Sequence, residues 1–137
     1  MDQNVLTKWI KVADKATENY TALSKDERVW VNVRILIDSI NNGGLISYYY
    51  NSGAENVYDL LDDLEIIEMT NVVEIIIKFN ATLFPLSIVP KDIDLRNEII
   101  GSIDEMTKNQ MQTLENEIFS CIPDLEAHLD RFLETRF

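Results

Sequence analysis

The stretch SKDERVWVNVRILIDSINNGG, residues 24–44, decides the fold, because it carries every signal of one amphipathic helix. Ser24 and Glu27 form a capping box, in which each side chain accepts a hydrogen bond from the other residue's free backbone N–H. Apolar side chains recur at the three- and four-residue steps of a single helix face: Val29, Trp30, Val33, Leu36, Ile37 and Ile40. The helix should end at Asn41–Gly44, since glycine tolerates the left-handed backbone of a C-terminal cap.

Helical spacing of apolar residues continues on both sides of this stretch. Residues 5–20 and 54–64 each place their apolar side chains on one face, and further helices are expected from near Asp92, Thr107 and Pro123. Between the 24–44 helix and residues 54–64, residues 45–51 form a short aromatic segment with three consecutive tyrosines. Pro85 and Pro90 mark a connection. No repeat or linker interrupts the chain, so residues 1–137 are expected to form a single domain.

Residues 71–84 fit two kinds of secondary structure. Alternate positions are apolar, as in a strand: Val73, Ile75, Ile77 and Phe79. Three polar residues instead recur at helical spacing: Asn71, Glu74 and Lys78. Val72 and Ile76 are apolar as well, which an amphipathic strand would not need. A largely buried helix is therefore favoured, and the whole pattern predicts an all-α fold, a compact bundle of six to seven helices.

Charge is the most unusual property of the composition. The 137 residues hold 24 Asp and Glu against 12 Lys and Arg, a net charge of −12. Residues 1–34 have six basic and five acidic side chains, a net of +1, and residues 35–137 have six basic and nineteen acidic ones, a net of −13. Such a field repels nucleic acid and anionic membranes and attracts basic surfaces. We therefore expect a basic protein as partner, with no direct nucleic acid or membrane binding.

The cysteine and hydropathy patterns point to a cytoplasmic protein. Cys121 is the single cysteine, so no intramolecular disulfide can form, and a reducing compartment is expected. The densest apolar stretch, residues 72–79, is too short to span a bilayer and contains Glu74 and Lys78.

Two acidic rows are candidate partner-binding surfaces. The first falls in residues 55–74, which contain no Lys or Arg: Glu55, Asp59, Asp62, Asp63, Glu65, Glu68 and Glu74. Glu55, Asp59 and Asp62 are spaced to share one helix face. A second row on the last helix, Glu126, Asp130 and Glu134, is partly neutralised by Arg131 and Arg136. A merely solvated polar face remains the alternative for both rows.

The sequence offers no catalytic, cofactor or metal motif. A phosphate-binding loop, a zinc-ligand spacing and a nucleophile elbow are all missing. His128 has no nucleophile to serve and is interpreted as a surface histidine, and Cys121 as an inert thiol. We therefore expect a binding protein without catalytic residues, cofactor or metal.

Several short motifs resemble one bacterial all-helical family. They are Glu27-Arg28, Asn41-Asn42-Gly43-Gly44-Leu45, Tyr48-Tyr49 and Asn51-Ser52-Gly53. The family is the DNA mimic protein nineteen-like family, formerly catalogued as a domain of unknown function. Residues of about 23–85 resemble its core, and about 92–135 its helical tail. The family usually has Phe at the position of Leu45 and Gln at that of Ser47.

The resemblance implies an acidic protein whose carboxylates substitute for DNA phosphates and occupy the basic surface of a DNA-binding protein or transcription regulator. An immunity-type inhibitor of a secreted toxin has the same electrostatics and remains an alternative. An uncharacterised enzyme with a pocket of Asn42, Tyr48 and Asn51 is the third. The family motif itself is interpreted as structural: Asn41, Asn42, Gly43, Gly44, Tyr48 and Asn51. An exposed Tyr48–Tyr50 segment would favour a homodimer.

Overall fold

The computed structural model describes residues 2–137, and all regular structure in that range is helical. The eight α-helices are α1 (Gln3–Asn19), α2 (Lys25–Gly43), α3 (Leu45–Tyr49), α4 (Val57–Ile66), α5 (Thr70–Leu83), α6 (Ile93–Gly101), α7 (Glu105–Ser120) and α8 (Ile122–Arg136). Three short 3-10 helices cover Tyr20–Ala22, Ser52–Asn56 and Pro85–Ser87. The all-α prediction is confirmed. The predicted count of six to seven is corrected to eight, because the aromatic segment after Gly44 forms a helix of its own.

Helix α2 lies at the centre of the molecule. Its predicted capping box is present: the Ser24 hydroxyl accepts from Glu27 N at 3.1 Å, and Glu27 Oε1 accepts from Ser24 N at 2.8 Å. The predicted apolar face is buried against α3, α4 and α8. The helix ends at Gly43, and Gly44 follows with φ 83°, as the glycine pair indicated.

Helix α5 settles the ambiguous stretch in favour of a buried helix. It buries seven residues and packs against α4 and α7. Ile77, which a strand would bury together with Val73 and Ile75, is instead exposed. Helical spacing of the polar positions was therefore the better guide, since it marks the one narrow face of α5 that meets water.

Local hydrogen bonds set the exact helix boundaries. Asp92 Oδ1 accepts from the backbone N–H groups of Asp94 and Leu95, which begins α6 where it was expected. Asp104 accepts from Thr107 N at 2.8 Å, so α7 begins at Glu105 and not at Thr107. Residues 52–56 form a 3-10 helix, so α4 begins at Val57 and not at Ala54.

The buried apolar side chains form one cluster to which every α-helix contributes. Helix α6 contributes a single buried apolar residue, Ile100, and helix α1 likewise contributes only Val12 among those described. Helix α1 is held mainly by Trp9, whose ring lies 5.4 Å from that of Trp30, while the Phe137 ring packs 4.8 Å from Trp30. Helix α1 and the C-terminal residue thus meet at the buried Trp30, near the beginning of α2.

Candidate interaction surface

The first acidic row extends from the 3-10 helix before α4 to the first turns of α5. Glu55 lies on that 3-10 helix, so Glu55, Asp59 and Asp62 do not share one continuous α-helical face as expected. Glu68 follows the end of α4 with a positive φ of 62°. Five carboxylates of the row are exposed: Glu55, Asp62, Glu65, Glu68 and Glu74. The structure therefore exposes these five carboxylates, here called the acidic band, on α4 and on the segments directly before and after it.

Asp63 requires a correction, because its side chain is fully buried and not exposed. Its Oδ1 accepts from Arg28 Nε at 2.9 Å and Nη2 at 2.7 Å, and its Oδ2 accepts from Asn32 Nδ2 at 2.8 Å. Burial raises the pKa of the Asp63 carboxyl above its ordinary value, and the hydrogen bonds from Arg28 and Asn32 oppose that shift. Asp63 therefore joins α4 to α2 and is removed from the surface.

Asp59 occupies an intermediate position between the buried and exposed carboxylates. Its Oδ2 accepts from the Tyr20 hydroxyl at 2.8 Å, and its Oδ1 lies 3.8 Å from Arg28 Nη1. Burial raises the pKa of Tyr20, so this phenol stays protonated and donates a hydrogen bond to Asp59. Asp59 thus has partners on other elements, although its own segment contains no basic residue.

Basic residues of α2 border the acidic band on one side. Lys25 and Arg28 line a shallow depression together with Asp62 and Glu65. Among the described residues, Glu55, Glu68 and Glu74 form no ion pair with Lys or Arg, so they are the least compensated members of the band.

The second acidic row lies beside a cleft between α1, α2 and α8. Glu126, Asp130 and Glu134 line this cleft of about 580 Å³ together with Lys8 and Arg34. Arg34 Nη2 lies 3.6 Å from Glu126 Oε1. Asp130 and Glu134 are exposed. Arg34 of α2 therefore pairs with Glu126, which the sequence had not indicated, whereas Lys8 donates to the Phe137 carbonyl and Arg136 lies 3.6 Å from Asp26.

The corner between α2 and α3 explains the glycine of the family motif. Asn41, Asn42 and Gly43 form the last turn of α2 and are exposed. Gly44 has φ 83° and ψ 176°, a region open essentially to glycine alone. A Cβ at Gly44 would lie 2.5 Å from Glu115 Oε2. Glu115 Oε1 in turn accepts from Ile46 N at 3.2 Å, so its carboxylate needs this close approach to cap α3.

The side chains of Tyr48 and Asn51 both donate hydrogen bonds to nearby backbone carbonyls. The buried Tyr48 hydroxyl donates to the Gly53 carbonyl at 3.1 Å, and Asn51 Nδ2 donates to the Ser47 carbonyl at 2.7 Å. Tyr49 is also buried and donates to Asn80 Oδ1, whereas Tyr50 is exposed. These contacts give the motif residues a structural role in shaping the α3 segment.

Arg96 is the residue that sequence reasoning missed. Its side chain is fully buried, and its four N–H···O contacts to backbone carbonyls are divided between two segments. Nε donates to Tyr49 O at 3.0 Å and Nη2 to Asn51 O at 2.8 Å, while Nη1 donates to the carbonyls of Pro90 and Lys91 at 2.9 Å each. Arg96 therefore joins the α3 segment to the connection before α6.

His128 and Cys121 are also placed by the structure. His128, expected on the surface, is half-buried, and its Nδ1 lies 2.7 Å from the Ile67 carbonyl oxygen. Burial raises the pKa of the Cys121 thiol, which keeps it in its less reactive form.

Among the described residues, no group of three or more His, Cys, Asp or Glu side chains is arranged to hold a metal ion. The helices of residues 2–137 include none with the length and hydropathy of a membrane span.

Comparison with known proteins gives one match, to a family. The family model described as DMP19-like protein matches residues 21–136, which include α2 to α8 but not α1. No curated protein and no solved structure matches the chain. Because the matched residues make up most of the sequence, the chain belongs to the DMP19-like protein family.

Proposed function

We propose that this protein is an acidic protein-binding module that mimics DNA and occupies the basic surface of a DNA-binding protein or transcription regulator. The observation that carries the proposal is the band of exposed carboxylates in residues 55–74, a segment without Lys or Arg. Membership of the DMP19-like family supports it.

The spacing of the band supports a coarse imitation of a phosphate backbone. Asp59, Asp62 and Glu65 follow one another at three-residue steps on α4, which correspond to about 4.5 Å of rise per step. One strand of DNA carries a charge about every 3.4 Å. The net −13 of residues 35–137 adds long-range attraction for a basic partner. Like charges so close together cost stability, and a basic partner would relieve that repulsion.

A non-enzymatic role in the cytoplasm completes the proposal. The motif residues Tyr48 and Asn51 hydrogen-bond to local backbone, which supports a structural and not a catalytic role. A single cysteine, which can form no intramolecular disulfide, suits a reducing compartment, where a DNA-binding partner would also be found.

The test is capture of partners from the native cell at low salt, followed by a salt titration of each complex. A triple variant, Asp62→Lys, Glu65→Lys and Glu68→Lys, should reduce affinity for a genuine partner at least about tenfold. A control of equal charge reverses Glu18, Glu105 and Glu117, which are exposed elsewhere. Duplex DNA should compete for the same partner. Equal losses in both variants, or binding indifferent to salt and to DNA, would contradict the proposal.

A further inference from the structure

A groove remains open on the side of the molecule formed by the end of α5, the Pro85–Ser87 turn and α6. Its volume is about 630 Å³. The buried side chains of Leu83 and Phe84 contribute to its lining, together with Leu86, Leu95 and Ile99. It lies outside the acidic band of residues 55–74 and is predominantly apolar in its side chains.

The turn beside the groove directs apolar side chains into water. Leu86 is 89% exposed, the highest value among the large apolar residues described, and Ile88 is 58% exposed. Leu86 and Ser87 both have left-handed backbone, with φ of 57° and 60°, although neither is glycine. Left-handed backbone and an exposed leucine both cost free energy. Two backbone hydrogen bonds, from Ser87 N to Phe84 O and from Ile88 N to Pro85 O, close the turn, but the Leu86 side chain itself buries little area. Such backbone strain concentrates at sites of binding.

The orientation of α6 adds a second apolar side chain. Arg96 is fully buried by its bonds to the carbonyls of Tyr49, Asn51, Pro90 and Lys91, which fixes the rotation of α6 about its axis. Its neighbour Leu95 therefore points outward, 45% exposed and lining the groove. A helix that buries an arginine and exposes the adjacent leucine reverses the usual preference of both residue types.

The one charged side chain that lines the groove is negative, while Lys91 and Asp92 are both exposed in the connection before α6. Glu98 lies one turn after Leu95 on the same face of α6 and lines the groove, and no Lys or Arg is among the lining residues. Asp92 and Asp94 are exposed at the beginning of α6. Apolar surface bordered by carboxylates complements a helix with an apolar stripe and flanking Lys or Arg side chains.

We propose that this groove docks an amphipathic, basic helix of the partner, with Leu86 and Leu95 as apolar anchors and Glu98 as the ion-pairing residue. The inference rests on the proposed function and deepens it. The acidic band provides electrostatic attraction, and the groove provides the desolvated apolar contact that dominates the stability of most complexes.

The test uses the full chain and a fluorescent peptide of about 14 residues built from Leu and Lys in amphipathic order, with a scrambled peptide of the same composition as reference. Anisotropy titration should give at least about tenfold tighter binding of the amphipathic peptide. Leu86→Ser and Leu95→Ser should each reduce that binding about tenfold, and Leu86→Gly should do the same while relieving the left-handed backbone. The matched control is Phe119→Ser, a 62% exposed position outside the groove, which should leave binding within about twofold.

Three outcomes would overturn the inference. The scrambled peptide binds as tightly as the amphipathic one, or the Leu86 variants bind the peptide unchanged, or sedimentation shows self-association of the protein that Leu86→Ser abolishes. The last outcome would identify a second copy as the occupant. The triple variant that reverses Asp62, Glu65 and Glu68 separates this inference from the proposed function. It should weaken the binding of the amphipathic and the scrambled peptide by the same factor and so preserve the ratio of their affinities.

Discussion

Asp63 and Arg96 are both fully buried charged side chains, and the protein stabilises them in opposite ways. Asp63 faces the guanidinium of Arg28 and the amide of Asn32, so its charge is neutralised by a partner on α2. Arg96 faces only backbone carbonyls, four of them, from two separate segments. The carboxylate is one half of an ion pair between two helices, whereas the guanidinium is a hydrogen-bonding bracket for irregular backbone.

The comparison shows why the two charges need different partners. Helices α2 and α4 satisfy their own backbone groups, so only side chains are available to bind Asp63. The chain around residues 49–51 and 90–91 leaves carbonyls without helical partners, and a planar guanidinium with five N–H groups can satisfy several at once. Loss of Arg96 should therefore affect more groups than loss of Asp63.

The largest effect is expected for Arg96→Met. Methionine keeps the apolar stem but removes the donor of four backbone carbonyls, which should cost about 4 kcal/mol of unfolding free energy. Urea denaturation followed by circular dichroism measures it. Arg96→Lys should recover only part of the loss, because an ammonium cannot reproduce the fork. Full stability of Arg96→Met would show that water can replace the bracket.

Asp63→Asn should cost less, about 2–3 kcal/mol. The substitution keeps the shape but leaves the Arg28 guanidinium, one quarter exposed, without its closest counter-charge. The same denaturation assay measures the loss. The double variant with Arg28→Met should be more stable than the two single losses combined, since removing both charges removes the unpaired one. Strict additivity would contradict an ion-pair role for Asp63.

Gly44→Ala tests the corner between α2 and α3, which leads into the segment that Arg96 holds. The positive φ and the contact with Glu115 predict a loss of about 2 kcal/mol in unfolding free energy. Adding Glu115→Ala would remove the steric conflict but not the backbone strain, so stability should stay well below wild type. Gly101→Ala is the matched control, because its Cβ would meet no atom within 4 Å.

Glu27 tests a carboxylate of intermediate exposure. The hydrogen bond from Lys15 and the bond to Ser24 N hold the pKa of Glu27 below its ordinary value. The stability it provides is therefore present above its unfolded pKa of about 4.3 and is lost as pH falls through its folded pKa. Glu27→Gln should cost less than about 1 kcal/mol at pH 7. Thermal melts at pH 7 and pH 3 should show this difference shrinking in acid.

The smallest effect is expected for Asp62→Asn. Asp62 is the exposed neighbour of Asp63, so its neutralisation should change the unfolding free energy by less than about 0.5 kcal/mol. A slight gain is expected, because the band then carries one less negative charge. In the same assay, the loss of unfolding free energy for Asp63→Asn, one residue away, should thus be severalfold larger than the change for Asp62→Asn. Equal losses at both positions would mean that Asp62 is also paired.

The sequence predicted the regular parts of this fold because helix periodicity and capping are local. The Ser24–Glu27 box and the polar stripe of α5 correctly identified their helices. Burial of Asp63 was missed, although Asn32 among the apolar positions of α2 was a signal that a buried polar partner exists. Burial of Arg96 had no local signal, since its four acceptors are backbone atoms whose positions depend on the complete fold.

The bracket formed by Arg96 also has a consequence for the order of folding. Its bonds to Tyr49 and Asn51 join residues 47 and 45 positions apart, so they close a long loop. Helices α2 and α4 can form their local bonds before that closure, but residues 49–51 cannot complete theirs until α6 arrives. The segment that carries the family motif should therefore become ordered late, and a nascent chain that ends before Arg96 should expose it to proteases.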